Sequence, residues 1–127
     1  MIEKAIYELL TTDSIITGLI GTRVFPWPIP QGAASPSVCY MIEDKPSMYL
    51  DGGTGIEQCE VTIAALSDSL LTARNIGQEI KRVLNKYRGI VGGADIAHCL
   101  LRDGGNDYDE EARQHFVKQI YHITIIT

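Results

Sequence analysis

The sequence contains no CxxC pair and only three cysteines, Cys39, Cys59 and Cys99, each inside an apolar, strand-like run. An odd count without metal-type spacing excludes a disulfide framework or a zinc ribbon, and predicts reduced core thiols of a cytosolic protein. No apolar run approaches the length that spans a bilayer, so no membrane partner is expected. Glu3, Lys4 and Glu8 interrupt the opening turns, where a signal peptide would need an apolar core. Positive charge is also scarce: eleven Lys and Arg stand against sixteen Asp and Glu, for a net charge of −5. The densest basic group, Lys81, Arg82, Lys86 and Arg88, lies at the end of a predicted helix, where cations offset the macrodipole. A surface that grips phosphates needs clustered cations, so sequence-specific nucleic-acid binding is not expected. No GxxxxGK[ST], GxGxxG, GxSxG or HExxH frame is present.

What is present is an ordinary globular balance, 45% hydrophobic and 21% charged over 127 residues. That balance argues against disorder and for one domain spanning 1–127. Ile2, Ala5, Ile6, Leu9 and Leu10 recur at helical spacing, and Ile15, Ile16, Leu19 and Ile20 repeat the pattern after Thr12 or Asp13 as cap. Two short N-terminal helices follow, with Gly21 as the stop. Phe25-Pro26-Trp27-Pro28-Ile29-Pro30 alternates proline, which disfavours helix and ladder alike and predicts a stiff connector running on to Pro36. Val38 to Glu43 reads as a strand, and Ile56 to Leu66 as a clearer one, with Cys59, Val61, Ile63 and Ala65 inward and Gln58, Glu60 and Thr62 outward. Between them lies a loop, with Met48–Leu50 as a possible short strand. Ser67, Asp68 or Ser69 opens a long helix, buried along Ala73, Ile76, Ile80, Val83, Leu84 and Tyr87 and ended by Gly89. Gly77 beside that stripe allows close approach to a sheet. Ala94 to Arg102 and Phe116 to Thr127 are two more strands, joined by an acidic turn region from Asp103 to Glu111. The order implies an α+β fold: a mixed, mostly antiparallel sheet of about four to five strands with the long helix packed on it.

No catalytic residue, metal ligand or cofactor is assigned. The acidic turn lacks EF-hand spacing, and its Asp107, Tyr108, Asp109 and Glu110 read as a partner-binding turn with Tyr108 as anchor. His98 and Cys99, as strand neighbours, point to opposite faces. Trp27, between two prolines, is either a core residue or, with Phe25 and Ile29, a contact anchor on the connector. Asp44, Lys45, Pro46, Met48, Tyr49, Asp51, Gly52, Gly53, Thr54 and Gly55 form an adaptable arm suited to ordering against a partner. An assembly protein, not an enzyme, is the reading these absences leave.

Several segments, taken in order, resemble the tail terminator, or tail-completion, family of long-tailed bacteriophages and prophages. They are Met1-Ile2-Glu3-Lys4-Ala5-Ile6-Tyr7-Glu8-Leu9-Leu10, Ile15-Ile16, Leu19-Ile20-Gly21, Arg23-Val24-Phe25-Pro26, Pro30-Gln31-Gly32-Ala33 and Pro36-Ser37-Val38-Cys39-Tyr40. Glu60-Val61-Thr62-Ile63, Ala73-Arg74-Asn75-Ile76, Tyr108-Asp109-Glu110-Glu111 and a closing apolar strand continue the match. The resemblance implies a structural virion protein that forms a ring, commonly six-fold, on the finished tail tube. It implies that the ring ends tube polymerisation and helps join the tail to the capsid connector. The implied partners are copies of the chain itself, the tail tube protein and a connector or head-completion protein, with DNA only passing through the lumen. The implied place is the head-proximal end of the tail, after assembly in the bacterial host cytoplasm. Two alternatives stand beside it: another head–tail connector or neck protein, and a small thiol- or metal-dependent enzyme using Cys59, Cys99 and His122 or the acidic turn.

Overall fold

The opening apolar repeat forms α1 (Ile2–Thr12), which buries Ile2, Ala5, Ile6 and Leu10 along one side. Asp13 then caps α2 (Ser14–Ile20): its carboxylate accepts from the Ile15 and Ile16 amides at 3.1 Å each. Ile16 and Ile20 face inward, whereas Ile15, expected on the same seam, is 52% exposed. In this computed structural model, which describes residues 2–28, 34–45, 56–111 and 113–126 (the backbone alone for Asp44 and Lys45), the remaining elements are six strands and one longer helix. The strands are β1 (Val24–Pro26), β2 (Ser37–Lys45), β3 (Ile56–Ser67), β4 (Gly89–Val91), β5 (Ala94–Asp109) and β6 (Gln114–Ile126). They make one sheet in the order β1-β2-β3-β6-β5-β4. Every pairing is antiparallel except that of β1 with β2.

The α+β architecture follows the periodicity, but the sheet has six strands, not four to five. Both additions are three residues long and flank the sheet. β1 lies inside the stretch expected to be an unpaired connector. Pro26 is tolerated there because it ends an edge strand, and the ladder is continued by the Trp27 amide, which donates to the Tyr40 carbonyl at 2.8 Å. β4 begins at Gly89, the residue expected only to end the long helix. The turn of Gly92 and Gly93, at φ of +57° and +80°, then folds it onto β5.

The long helix α3 (Leu70–Leu84) is capped by Ser69, whose hydroxyl accepts from the Thr72 amide at 3.3 Å. It stops at Leu84, five residues before Gly89. Asn85 ends it because its side chain is already engaged: Oδ1 accepts from the Leu101 amide at 3.0 Å and ties the helix to β5. All three helices lie on one face of the sheet. That face contributes Val38, Tyr40, Cys59, Val61, Ile63, Ala65, Tyr121 and Ile123 to one core with Ile6, Ile76, Ile80 and Leu84. The strict alternation of β3, buried at every second residue from Cys59 to Ser67, is why its sequence was easy to read.

Gly77 has the close-packing role its position suggested. A Cβ added there would stand 3.0 Å from Val117 Cγ1 and 3.3 Å from Gln119 Nε2. Neither neighbour yields easily: Val117 is β-branched, and Gln119 donates to the Gly77 carbonyl at 2.8 Å while accepting from the Tyr121 hydroxyl. Alanine gains about 1 kcal/mol of helix propensity, but overpacking costs about 1–3 kcal/mol. Gly77→Ala is therefore expected to lower stability by about 1 kcal/mol, measured as a lower urea midpoint at unchanged slope.

A second lock joins α2 to α3. Arg82 donates through Nη2 to both Asp13 oxygens at 2.8 and 2.9 Å, and through Nε to Glu79 at 2.7 Å. The Arg82 hydrogen bond holds the Asp13 carboxyl below its ordinary 3.8, against a smaller opposing effect of burial. A lowered folded-state value means the contribution is complete above the unfolded value and is lost as pH falls through the folded one. Asp13→Ala is expected to cost about 1 kcal/mol as a lost cap at neutral pH. The gap from the wild type should narrow below about pH 4 in urea titrations run across pH.

Candidate assembly surfaces

Among the described residues the opposite face of the sheet carries no helix, and its residues divide unevenly. One part is mixed: Glu43, Glu60, Lys118, His122, Asp103 and Asp107 share it by register with Leu100 and Ile120. The other part is apolar and forms a hollow of about 220 Å³ against Trp27, Cys39, Met41, Ala64, Leu66 and Phe116. Asp109 of β5 and Lys118 of β6 also line it.

The sequence builds the hollow from both strand edges. Val24 is buried in the core, which turns Phe25 to the helix-free face opposite Cys39. The connector leaves β1 pinned by the Trp27 amide and, at its far end, by Arg23, whose Nε donates to the Pro36 carbonyl at 2.7 Å. Trp27 is thereby held at the rim with 60% of its surface exposed, beside Met41 at 52%. The question left open for Trp27, core or contact anchor, resolves to an exposed side chain on a fixed backbone. Cys39 lies beneath it, and burial pushes its thiol up to about 11.

The three expected partner-binding segments are only partly brought together. Of the connector, Trp27 lines the hollow and Phe25 pairs with Cys39 at its border, while Ile29 lies outside the described residues. Of the arm, Asp44 and Lys45 end β2; Pro46, Met48, Tyr49, Asp51, Gly52, Gly53, Thr54 and Gly55, with the possible strand at Met48–Leu50, lie outside the described residues. The acidic segment is corrected in kind. Asp107, Tyr108 and Asp109 belong to β5, which runs seven residues past Arg102, and only Glu110 is in the turn. Both faces of this stretch are solvated, so alternation, the signal that marks a half-buried strand, is absent.

Tyr108 is 44% exposed, and its ring centroid lies 4.7 Å from that of His115 across the strand pair. The carboxylates fold back onto their own backbone. Asp103 and Asp107 accept from the Gly104 and Tyr108 amides at 2.8 Å each, and Asp109 from Glu111 at 3.0 Å. They do not converge, and among the described residues no cluster of acidic, His or Cys side chains could hold a metal ion.

The thiol arrangement is likewise divided by the sheet. Cys59 and Cys99 point to the helix side, each opposite Ile123 on β6, whereas His122 faces the other way opposite Glu60 and Leu100. Burial drives the Cys99 thiol up to about 12, with a smaller push from Cys59, so it is held as the poorly nucleophilic thiol. The hollow itself was the feature missed in the sequence. Ala64 and Leu66 share the outward parity of Gln58, Glu60 and Thr62, so the outer face of β3 turns apolar toward its end. That change of character was the available signal.

The structure resembles other solved structures. One chain in the virion of the native gene transfer agent particle superposes at TM-score 0.73, with 15% identity, over 97% of this chain and 92% of that one. A second solved structure superposes at TM-score 0.66, with 10% identity, over 99% of this chain and 90% of that one. At these identities the likeness speaks for the fold. No curated protein matches the sequence. The sequence does match the family described as tail completion protein gp17 across residues 4–125. With nearly the whole chain inside that match, the protein belongs to the tail completion protein gp17 family.

Proposed function

We propose that the protein is a structural subunit of a ring, six-fold as is common in the family, that caps the phage tail tube. It ends tube polymerisation there and presents the surface that meets the capsid connector at the head-proximal end of the tail. Its partners are copies of itself, the tail tube protein and the connector, and it performs no catalysis. Family membership across 4–125 carries this reading. The hollow at Trp27 supports it: an exposed aromatic on a fixed backbone beside an apolar cavity is the chemistry of an interface anchor. A ring also needs two different faces on each subunit. The hollow side, near β1 and β2, and the β5 edge at the other side of the sheet supply two unlike surfaces. The connector residues Phe25 and Trp27, the arm beginning at Asp44 and the hairpin at Asp107–Glu110 are assigned to contacts within the ring or with its neighbours.

The test is tube assembly in vitro. Tail tube protein polymerised with increasing amounts of this protein should give progressively shorter tubes, and native mass spectrometry should find an assembly of several copies. Tubes of unchanged length at saturating protein would overturn the reading.

A further inference from the structure

The two edges of the sheet are guarded at opposite corners. β1 covers β2 only at Val38, Cys39 and Tyr40, and β4 covers β5 only at Ala94, Asp95 and Ile96. Following the register across the sheet, Val38 lies opposite Ala65, Ala65 opposite Val117, and Val117 opposite Asn106. So where β2 is covered, β5 is not. Just beyond β4, the Lys86 amide bonds the Cys99 carbonyl and Asn85 takes the Leu101 amide. From Arg102 to Tyr108 on β5, and from Met41 to Lys45 on β2, no strand pairs with the outer edge among the described residues. Chaining the antiparallel pairings, β2 and β5 run in opposite directions.

The backbone groups that face outward can be named. The Val38 amide donates to Arg23 and the Tyr40 carbonyl accepts from Trp27, so strand alternation sends the groups of Ile42 and Asp44 the same way. Glu43 turns its backbone toward β3. On β5 the Gly104 and Tyr108 amides are met by the carboxylates of Asp103 and Asp107, and Asn106 shares their parity. Such inward-bent carboxylates quiet an edge in the isolated subunit while leaving it displaceable by a strand.

We infer that successive copies join edge to edge, the β5 edge at Gly104–Tyr108 pairing antiparallel with the β2 edge at Met41–Asp44 of the next copy. The inference rests on the ring reading above and names the contact that makes the ring. The occupant is a second copy because each edge is the continuation of the other's sheet: opposite in direction, with its guard at the opposite corner. Bringing the two unguarded halves level requires a stagger between subunits, and closing a sheet into a barrel requires such a stagger.

Charge selects the register. Placing Ile42 opposite Asn106 and Asp44 opposite Gly104 sets Glu43 opposite Gly105 and Met41 opposite Asp107. A shift of two residues either way sets Glu43 directly across from Asp103 or Asp107, like charge against like. Gly104 and Gly105 thus fall where the neighbour presents Asp44 and Glu43. This accounts for Gly105, where an added Cβ would meet open space within the subunit, whereas one at Gly104 would stand 3.1 Å from the Lys118 carbonyl oxygen of its own chain.

Asn106→Pro removes the central outward amide of the edge, a position where proline is compatible with an edge strand. Native mass spectrometry should find self-association weakened at least about tenfold, with the urea midpoint of the monomer unchanged. Independently of that variant's folding, Met41→Cys/Asp107→Cys should oxidise to a covalent ladder of subunits. Met41→Cys/Asp103→Cys and each single variant should not. A wild-type-like assembly of Asn106→Pro, or a ladder from the 103 pair in place of the 107 pair, would overturn the edge pairing while leaving the ring intact. A wild-type protein that stays monomeric even in the presence of tube ends would overturn the ring reading and this contact with it.

Discussion

Gly92→Ala is expected to destabilise the protein by at least about 3 kcal/mol, the largest single-residue effect short of deleting core side chains. The added Cβ would fall 2.6 Å from the Ala5 nitrogen, 2.8 Å from its Cα and 2.9 Å from the Lys4 carbonyl carbon. These are backbone atoms of α1, so no side chain can swing aside; the β4–β5 turn or the helix must move. The position also sits at φ +57°, where a side chain adds about 1 kcal/mol of strain. Gly93 is the internal control. It shares a positive φ of +80° but has open space where its Cβ would be, so Gly93→Ala should show the conformational cost alone. Urea unfolding of both variants measures the difference, and equal midpoints would show that α1 does not rest on this turn.

Trp27→Ala is expected to do the reverse, sparing the fold and disabling assembly. At 60% exposure the ring contributes little to the core, so stability should stay within about 0.5 kcal/mol of the wild type. Tryptophan beside an apolar hollow is the residue type that dominates interface energetics, with about 2 kcal/mol or more lost on truncation. That corresponds to a drop of at least about thirty-fold in affinity for tube ends or for neighbouring copies. Sedimentation with purified tubes checks it. A variant that unfolds early but binds normally once folded would return Trp27 to a structural role.

Gly77 on α3 and the inward set on β3 were legible because one face of each element is wetter and the other is core, which leaves a period in the residues. β1 and β4 were not, because three residues cannot display a period and because Pro26 and Gly89 carry stronger local signals of their own. The outer half of β5 read as an acidic turn for a different reason. Both its faces meet solvent, and its aspartates satisfy neighbouring amides, so nothing apolar alternates along it. Trp27 was flagged, but its setting was not. Cys39, Met41, Ala64, Leu66 and Phe116 come from three separate strands, and only the sheet register gathers them. The end of α3 was misplaced because Asn85 stops the helix through a tertiary bond to Leu101, which no local pattern announces.

The central claim is that copies of this chain close into a ring on one end of a tail tube. Electron microscopy of pre-formed tubes incubated with the pure protein tests it most directly. The account predicts one added disc of density, of rotational symmetry matching the tube, at a single end of each tube, lost with Trp27→Ala. Bare ends at saturating protein, or density bound along the sides of the tubes, would contradict it.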